Sequence, residues 1–306
     1  MKNLLLIANP ISGTKHDPKL PQKLLKEIEA LGHHVELRLT EYRGHAHELA
    51  AEAAASGIDG VLACGGDGTV NEVASALCGT DTILGILPNG SGNGLARHIA
   101  IPCNPIKAVQ VIAADNPQYC DWCDANGRPF FCAFGMGFDA AVAHRFASKG
   151  KRGFATYIQS AFEEIRQYQP EEYTIETENG SERFKAMFIS CCNASQLGNN
   201  AYIAPHASIR DGVMDITAVG KSGLLSYAKM SIDLMGGALH ESKKIKMLRA
   251  SKAIIRRNSE GLVHVDGEPT TMGKEVTVTV HPGGLRIFVN PDKKPVRAWL
   301  TPLHLS

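Results

Sequence analysis

VLACGGDGTVNEV, residues 61–73, begins as a run of small and apolar residues and passes through Gly65, Gly66, Asp67 and Gly68. After Thr69 it continues in a helix-like pattern. Glycine suits places where the backbone takes a positive φ or must come close to another group. A turn of this kind, closing a buried strand and opening a helix, is where α/β proteins commonly hold phosphate groups. The stretch therefore predicts a strand, a glycine turn and a helix within a parallel sheet.

The flanking sequence repeats the alternation. LLLIAN (4–9) is a short apolar run ended by Pro10, and KLPQKLLKEIEALG (19–32) spaces Leu24, Leu25, Ile28 and Leu31 at helical intervals before Gly32. HVELRLT (34–40) alternates as a strand does, AHELAAEAAASG (46–57) reads as a helix, and TILGILP (82–88) follows as a further strand. Strands separated by helices predict a parallel sheet covered on both faces. The pattern then changes. YTIETENGSERFKAMFISCCN (173–193) reads as a hairpin about Asn179-Gly180, because both turn residues tolerate positive φ. MDITAVG, KAIIRRN, LVHVDGE, EVTVTVHP and GLRIFVNP read as further short strands, with one helical interruption at 222–237. The expected architecture is α/β followed by all-β: a parallel-sheet domain over 1–124, then an antiparallel β-sandwich over 125–289.

Composition narrows the function. The 306 residues are 44% hydrophobic and 21% charged with net charge +1, so a packed core is expected and a nucleic-acid footprint is not. Of eight cysteines, Cys64 and Cys132 lie in apolar runs and Cys191 and Cys192 are neighbours, which reads as buried thiols in a reducing compartment. Cys120 and Cys123 form a C-x-x-C pair with no partner pair at zinc spacing. The opening MKNLLLIANP is too short in its apolar part for a secretory leader, and no apolar run reaches the ~20 residues that span a bilayer. The expectation is a cytoplasmic protein whose contact with membranes is peripheral and transient, with a homodimer left open.

Several motifs fail. Gly220-Lys221-Ser222 resembles the end of a P-loop, but the first glycine position is Asp215. Gly135-Met136-Gly137 fits a relaxed dinucleotide fingerprint but lies beyond the α/β half. Residues 89–93 are Asn-Gly-Ser-Gly-Asn, not a hydrolase elbow. What remains is a series of polar turns at the ends of the four expected parallel strands. They are Asn9 to Gly13, Thr40 with Gly44 beyond it, Gly65 to Thr69, and PNGSGNG (88–94). Strand ends of an open α/β sheet share one edge, so these turns could surround a polyphosphate with backbone N–H groups and hydroxyls.

N-P-x-S-G, G-G-D-G-T-x-N-E, L-P-x-G-S-G-N and a downstream D-G-E, in that order over almost the whole chain, strongly resemble the diacylglycerol kinase catalytic-domain family. Its members include bacterial lipid kinases and the sphingosine and ceramide kinases, with NAD kinases as distant relatives. The resemblance implies an α/β nucleotide domain followed by a β-sandwich lipid domain, ATP and Mg2+ in the cleft between them, and a final segment, about 290–306, returning to the first domain. It implies ATP binding by Asn9, Pro10, Ser12, Gly13, Thr40, Gly65, Gly66, Asp67, Gly68, Thr69, Asn71, Glu72, Gly90, Ser91 and Asn93. Asp67 would act near the phosphates through magnesium or water. Ser208, Asp211 and Val213 match a family metal site, with carbonyl ligation at the first and last. Glu268 matches the proposed general base, which takes the proton of a lipid hydroxyl. Read without the family, Asp211-Gly212 and Asp266-Gly267 are ordinary turn dipeptides and Glu268 is a solvated strand end.

Two departures bear on substrate. Gly90-Ser91-Gly92-Asn93-Gly94 has the sphingosine and ceramide kinase form and lacks the second carboxylate common in bacterial diacylglycerol kinases. Asp139 stands about where sphingosine kinases carry an acidic residue for the substrate head, where it would pair with an ammonium. Alternatively it caps a helix starting at Ala140. The implied activity is phosphorylation of a diacylglycerol-like or sphingoid lipid taken from a membrane surface. An NAD kinase-like phosphotransferase and a non-catalytic nucleotide-binding module are the alternatives. A lipid-binding role for Leu224, Leu225, Tyr227, Met230 and Met235 is set against ordinary core spacing.

Overall fold

The computed structural model describes residues 1–13, 17–149, 154–165, 167–240 and 242–291. The described residues divide into two compact units: Met1–Trp122 with 283–291, and Cys123–Pro282. Most of the expected return segment, 292–306, lies outside the described residues.

The first unit runs β1 (Asn3–Ala8), α1 (Leu20–Glu29), β2 (His34–Leu39), α2 (His45–Ala55), β3 (Gly60–Gly65), α3 (Asp67–Leu77), β4 (Ile83–Pro88), α4 (Gly94–His98) and α5 (Pro105–Ala113). Its sheet is parallel, in the order β2-β1-β3-β4. All six residues of β3 and of β4 are buried, as expected of strands covered on both faces, whereas the edge strand β2 buries only Val35. The amphipathic pattern of α1 buries Leu24 and Ile28. Helix α5, which the sequence reading passed over, is announced by Pro105 at its start and by Asn104, whose Oδ1 accepts the Lys107 N–H at 3.1 Å.

The strands end in step. Ala8 lies opposite Leu39 and Cys64, and Gly65 lies opposite Pro88. The carboxyl ends of all four strands therefore form one rim, and each following loop starts from it.

The chain leaves this unit within β5 (Pro117–Ala125) and continues through β6 (Arg128–Phe130), β7 (Ala133–Gly137), α6 (Phe138–Ser148), α7 (Phe154–Ile165), β8 (Glu171–Thr177), β9 (Gly180–Cys192) and β10 (Met214–Gly220). Then come α8 (Leu224–Gly236), β11 (Ile245–Ala250), β12 (Lys252–Arg257), β13 (Gly261–Val265), β14 (Glu268–Met272) and β15 (Glu275–Phe288). The second unit is an antiparallel β-sandwich. Its ladder runs β14-β13-β7-β9-β8-β12-β15, with β10 added on β9 and β11 on β10. Phe130, Phe134, Tyr173, Ile189, Ile216, Val263 and Val276 belong to its core. A fully buried side chain of this size contributes roughly 1.5–3 kcal/mol.

Three expectations are corrected. The hairpin turn is Glu178-Asn179 rather than Asn179-Gly180: Thr177 pairs with Gly180, and only Gly180 takes positive φ, at 130°. EVTVTVHP and GLRIFVNP are one strand, β15, which carries Pro282 and Gly283 in its interior. The second unit holds α6 and α7 besides α8, where a single helical interruption was expected; α6 is built from an Ala-rich stretch with one β-branched residue, Val142.

Candidate functional site

The rim of the first unit is assembled mostly from backbone. Asn9 closes β1, donates Nδ2–H to Thr69 Oγ1 at 3.3 Å and accepts the Ile11 N–H on Oδ1 at 3.1 Å. Ser12 Oγ donates to the Asn9 carbonyl at 2.8 Å and accepts from Asn89 Nδ2 at 3.0 Å, so the loops after β1 and β4 are joined. Gly13 (φ 92°) passes close to Asn89, where a Cβ would lie 3.1 Å from both its carbonyl oxygen and its Oδ1. Pro10 is exposed, and Thr40 and Ser91 are half-buried.

Gly66 and Gly90 face each other backbone to backbone. A Cβ on Gly90 would sit 2.5 Å from the Gly66 Cα and 2.7 Å from Asn93 Oδ1. Gly65 lies beneath Thr69, whose side chain fills the space a Cβ would need. Glycine is thus required here by loop-on-loop packing. Asn93 is buried in the left-handed region (φ 53°); its Oδ1 accepts the Gly90 N–H and its Nδ2 donates to the Gly90 carbonyl, both at 2.9 Å.

The two acidic residues of GGDGTVNE turn toward backbone. Asp67 accepts the Asn93 N–H at 2.8 Å and the Gly94 N–H at 2.6 Å, one on each oxygen, and so ties α3 to the start of α4. Glu72 accepts the N–H groups of Gly44 (2.9 Å) and Ala46 (3.2 Å), and so holds the N-terminus of α2. Each carboxylate meets N–H donors of an adjoining loop, which stabilise its negative charge. Gly68, Thr69 and Asn71 lie on the first turns of α3, where backbone N–H groups favour an anion. Asn89 and Gly92, within the 88–94 turn but not among the residues the resemblance assigns to ATP, also join the rim; a Cβ on Gly92 would lie 2.7 Å from Asp67 Oδ2.

In the second unit Asp266 and Gly267 form the β13–β14 turn with φ 48° and 82°, the positive values a two-residue hairpin requires. Asp266 is far more than a turn residue. Its carboxylate accepts the N–H groups of Phe131 (2.9 Å), Cys132 (2.8 Å) and Ala133 (3.0 Å). Arg257, 6% exposed, donates to the carbonyls of Gly261, Leu262, Met272 and Gly273 and braces the same hairpin; a buried guanidinium needs such partners. Glu268 begins β14, half-exposed, with Arg128 Nη2 3.8 Å from its Oε2.

Asp139 sits inside the first turn of α6, whose cap is Gly137, so it does not cap a helix beginning at Ala140. It is buried against Ser190 and His264. Asp211 pairs with Arg249, and its Oδ1 accepts the Val213 N–H at 3.4 Å, while Ser208 Oγ accepts from Arg210 N. A guanidinium thus already answers the carboxylate expected to ligate a metal. Among the described residues no group of three or more His, Cys, Asp or Glu side chains is arranged to hold one. The pairing with Arg249 engages Asp211, while ligation through the Ser208 and Val213 carbonyls does not depend on these side chains.

The α8 stretch divides: Met230 packs against the apolar cluster around Ile203 and Leu239, whereas Leu225 is 89% exposed. Cys64, Cys120, Cys123, Cys132, Cys191 and Cys192 are buried, and all eight thiols are unbridged. Burial pushes the Cys64 thiol up to about 12. Among the described residues no helix is long and apolar enough to cross a membrane.

The chain is similar to known proteins over most of its length. Residues 3–125 match the diacylglycerol kinase catalytic domain, and residues 133–289 match the YegS C-terminal NAD kinase beta sandwich-like domain. A probable lipid kinase YegS of Shigella boydii is 30% identical over 94% of this chain and 96% of its own length. A diacylglycerol kinase of Bacillus subtilis is 27% identical over 88% of this chain and 90% of its own. The crystal structure of a diacylglycerol kinase-like protein from Bacillus anthracis covers 95% of this chain and 98% of its own, with TM-score 0.79 at 24% identity. An NAD kinase of Archaeoglobus fulgidus, solved with ATP, has TM-score 0.53 at 11% identity over 95% of this chain and 94% of its own, which is a likeness of fold. The chain belongs to the diacylglycerol kinase catalytic-domain family of lipid kinases.

Proposed function

We propose that the protein transfers the γ-phosphate of ATP to a hydroxyl of a diacylglycerol-like or sphingoid lipid drawn from a membrane surface. The observation that carries this reading is the rim: four strand ends in step, with the Gly66 and Gly90 loops pressed together and Asp67 joining them. Backbone N–H groups at the start of α3, with the Asn9, Ser12, Thr40 and Ser91 side chains, cradle the polyphosphate. Asp67 and Glu72 fix the shape of that cradle through the N–H groups they accept. A magnesium ion brought by the nucleotide would supply charge neutralisation at the phosphates.

Glu268 accepts the proton of the lipid hydroxyl as the oxygen attacks phosphorus, and ADP leaves. Arg128 Nη2 stands 3.8 Å from Glu268 Oε2, beside the carboxylate that takes the proton. The Gly-Ser-Gly-Asn form of residues 90–93 favours a sphingoid acceptor, whereas the buried state of Asp139 argues against that residue reaching the substrate's ammonium.

The deciding experiment supplies labelled ATP with a panel containing dioctanoylglycerol, sphinganine, ceramide and NAD. Label appearing in one lipid, and lost in Glu268→Gln, is expected. Label in NAD alone would replace this reading with the NAD kinase one. Nucleotide binding with no labelled product anywhere would leave a regulatory module.

A further inference from the structure

The second unit contains a buried polar network that nucleotide binding does not use. Asp139, Ser190 and His264 are 6%, 0% and 4% exposed and come from α6, β9 and β13. Ser190 Oγ donates to Asp139 Oδ2 at 3.0 Å, and His264 Nε2 lies 3.3 Å from the same oxygen. The Ala140 N–H donates to Asp139 Oδ1 at 2.8 Å. At the opposite side of the ring, His264 Nδ1 accepts the Gly267 N–H at 3.3 Å. A ring nitrogen that accepts carries no proton, so the neutral imidazole places its hydrogen on Nε2 and donates it to Asp139.

The meeting is a close one. A Cβ on Gly135 would collide with both Asp139 Oδ2 and His264 Nε2, so the glycine on β7 is what allows carboxylate and imidazole to touch. The three residue types are those of a nucleophilic triad, but their connections are not: the serine donates to the aspartate, away from the histidine. No member is open to solvent. Through the bond to Gly267, the residue before Glu268, the network reaches the exposed β13–β14 turn.

We propose that Asp139 and His264 are a positioning pair: Asp139 fixes the tautomer of His264, His264 holds the Gly267 N–H, and the turn so held aims the Glu268 carboxylate. The inference rests on the reading of Glu268 as proton acceptor. It also gives Asp139 a role that needs no contact with a lipid head group. Asp266 anchors the turn from one side through three backbone N–H groups, and His264 anchors it from the other. Glu268 is the first residue of β14 beyond the two anchors.

Two substitutions at one position separate this role from simple support of the fold. Asparagine places its amide oxygen near the Nδ1 position and keeps an acceptor for Gly267. Glutamine reaches the Nε2 position and keeps a donor to Asp139, but leaves Gly267 without its acceptor. With ATP, dioctanoylglycerol and sphinganine as probes, His264→Gln is expected to lower kcat about tenfold, as small misplacements of a catalytic group do, with KM for ATP within about twofold. His264→Asn should recover kcat to within about threefold of the wild type, and neither change should add to the loss in a Glu268→Gln background. Amide exchange at Gly267, followed by NMR, should accelerate about tenfold in His264→Gln but stay near the wild-type rate in His264→Asn. Equal kcat losses in both variants, or losses that add to Glu268→Gln, would overturn the proposal. If the wild type phosphorylates neither lipid, the proposed function falls by that result alone. The positioning role is then judged by Gly267 exchange, and an unchanged rate in His264→Gln overturns it.

Discussion

In the first unit the candidate residues act mainly as backbone, whereas in the second they act as buried side chains. The rim carries Gly66 against Gly90, and its carboxylates, Asp67 and Glu72, accept N–H groups from loops 26 to 28 residues away. The second unit places Asp266 on N–H groups 133 to 135 residues away, and sinks Asp139, Ser190 and His264 below the surface. On the proposed function, the difference teaches that a polyphosphate and a proton make different demands. The first is met by many weak, half-exposed donors whose spacing is set by strand ends in register. The second depends on one carboxylate, which must be aimed, and aiming requires buried groups with every bond satisfied.

That contrast can be broken most severely at Asp266. Asp266→Ala strips the acceptor from three backbone N–H groups and should cost about 4 kcal/mol of stability, near the top of the range for single substitutions. Urea unfolding measures it; a loss below about 1 kcal/mol would mean that water replaces the carboxylate and that the anchor is dispensable. Gly90→Ala tests the rim in the same way. The added methyl meets Gly66 backbone and Asn93, and overpacking of this kind costs about 2 kcal/mol. Nucleotide affinity, read by calorimetry, should fall with it, since the two loops must part; unchanged stability and affinity would show that they yield freely.

The smallest effect separates the units by pH. His98, at the end of α4, has its pKa lowered to about 4 by loss of hydration. The unfolded chain takes up that proton near 6.5. Stability from this group is therefore complete above about pH 6.5 and is lost as pH falls through 6.5 toward 4. Because His98 is only partly shielded from solvent, the loss between pH 7 and 5 should be about 1 kcal/mol. Thermal unfolding of His98→Gln against the wild type isolates it: the difference in Tm shift between the two pH values should vanish in the variant, and a shift that persists assigns the dependence elsewhere.

The parallel sheet was legible because β3 and β4 are covered on both faces and read as unbroken apolar runs, and because glycine turns mark their ends. The family motifs followed from the same turns. What spacing concealed were contacts between distant segments: Asn89 on Ser12, Asp266 on Phe131 to Ala133, and Asp139 with His264, 125 residues apart. The C-terminal strand was misread at Pro282-Gly283 because local breakers are outvoted by ladder partners on either side.

By itself, the sequence determined an α/β rim able to receive phosphate, since strand periodicity and glycine turns are local properties written residue by residue. Only the tertiary structure decided that Asp67 and Glu72 face backbone, that Arg249 answers Asp211, and that Asp139 lies buried behind the turn before Glu268. The reason is physical: a carboxylate's role is set by which donors surround it, and those donors come from segments that only folding brings together.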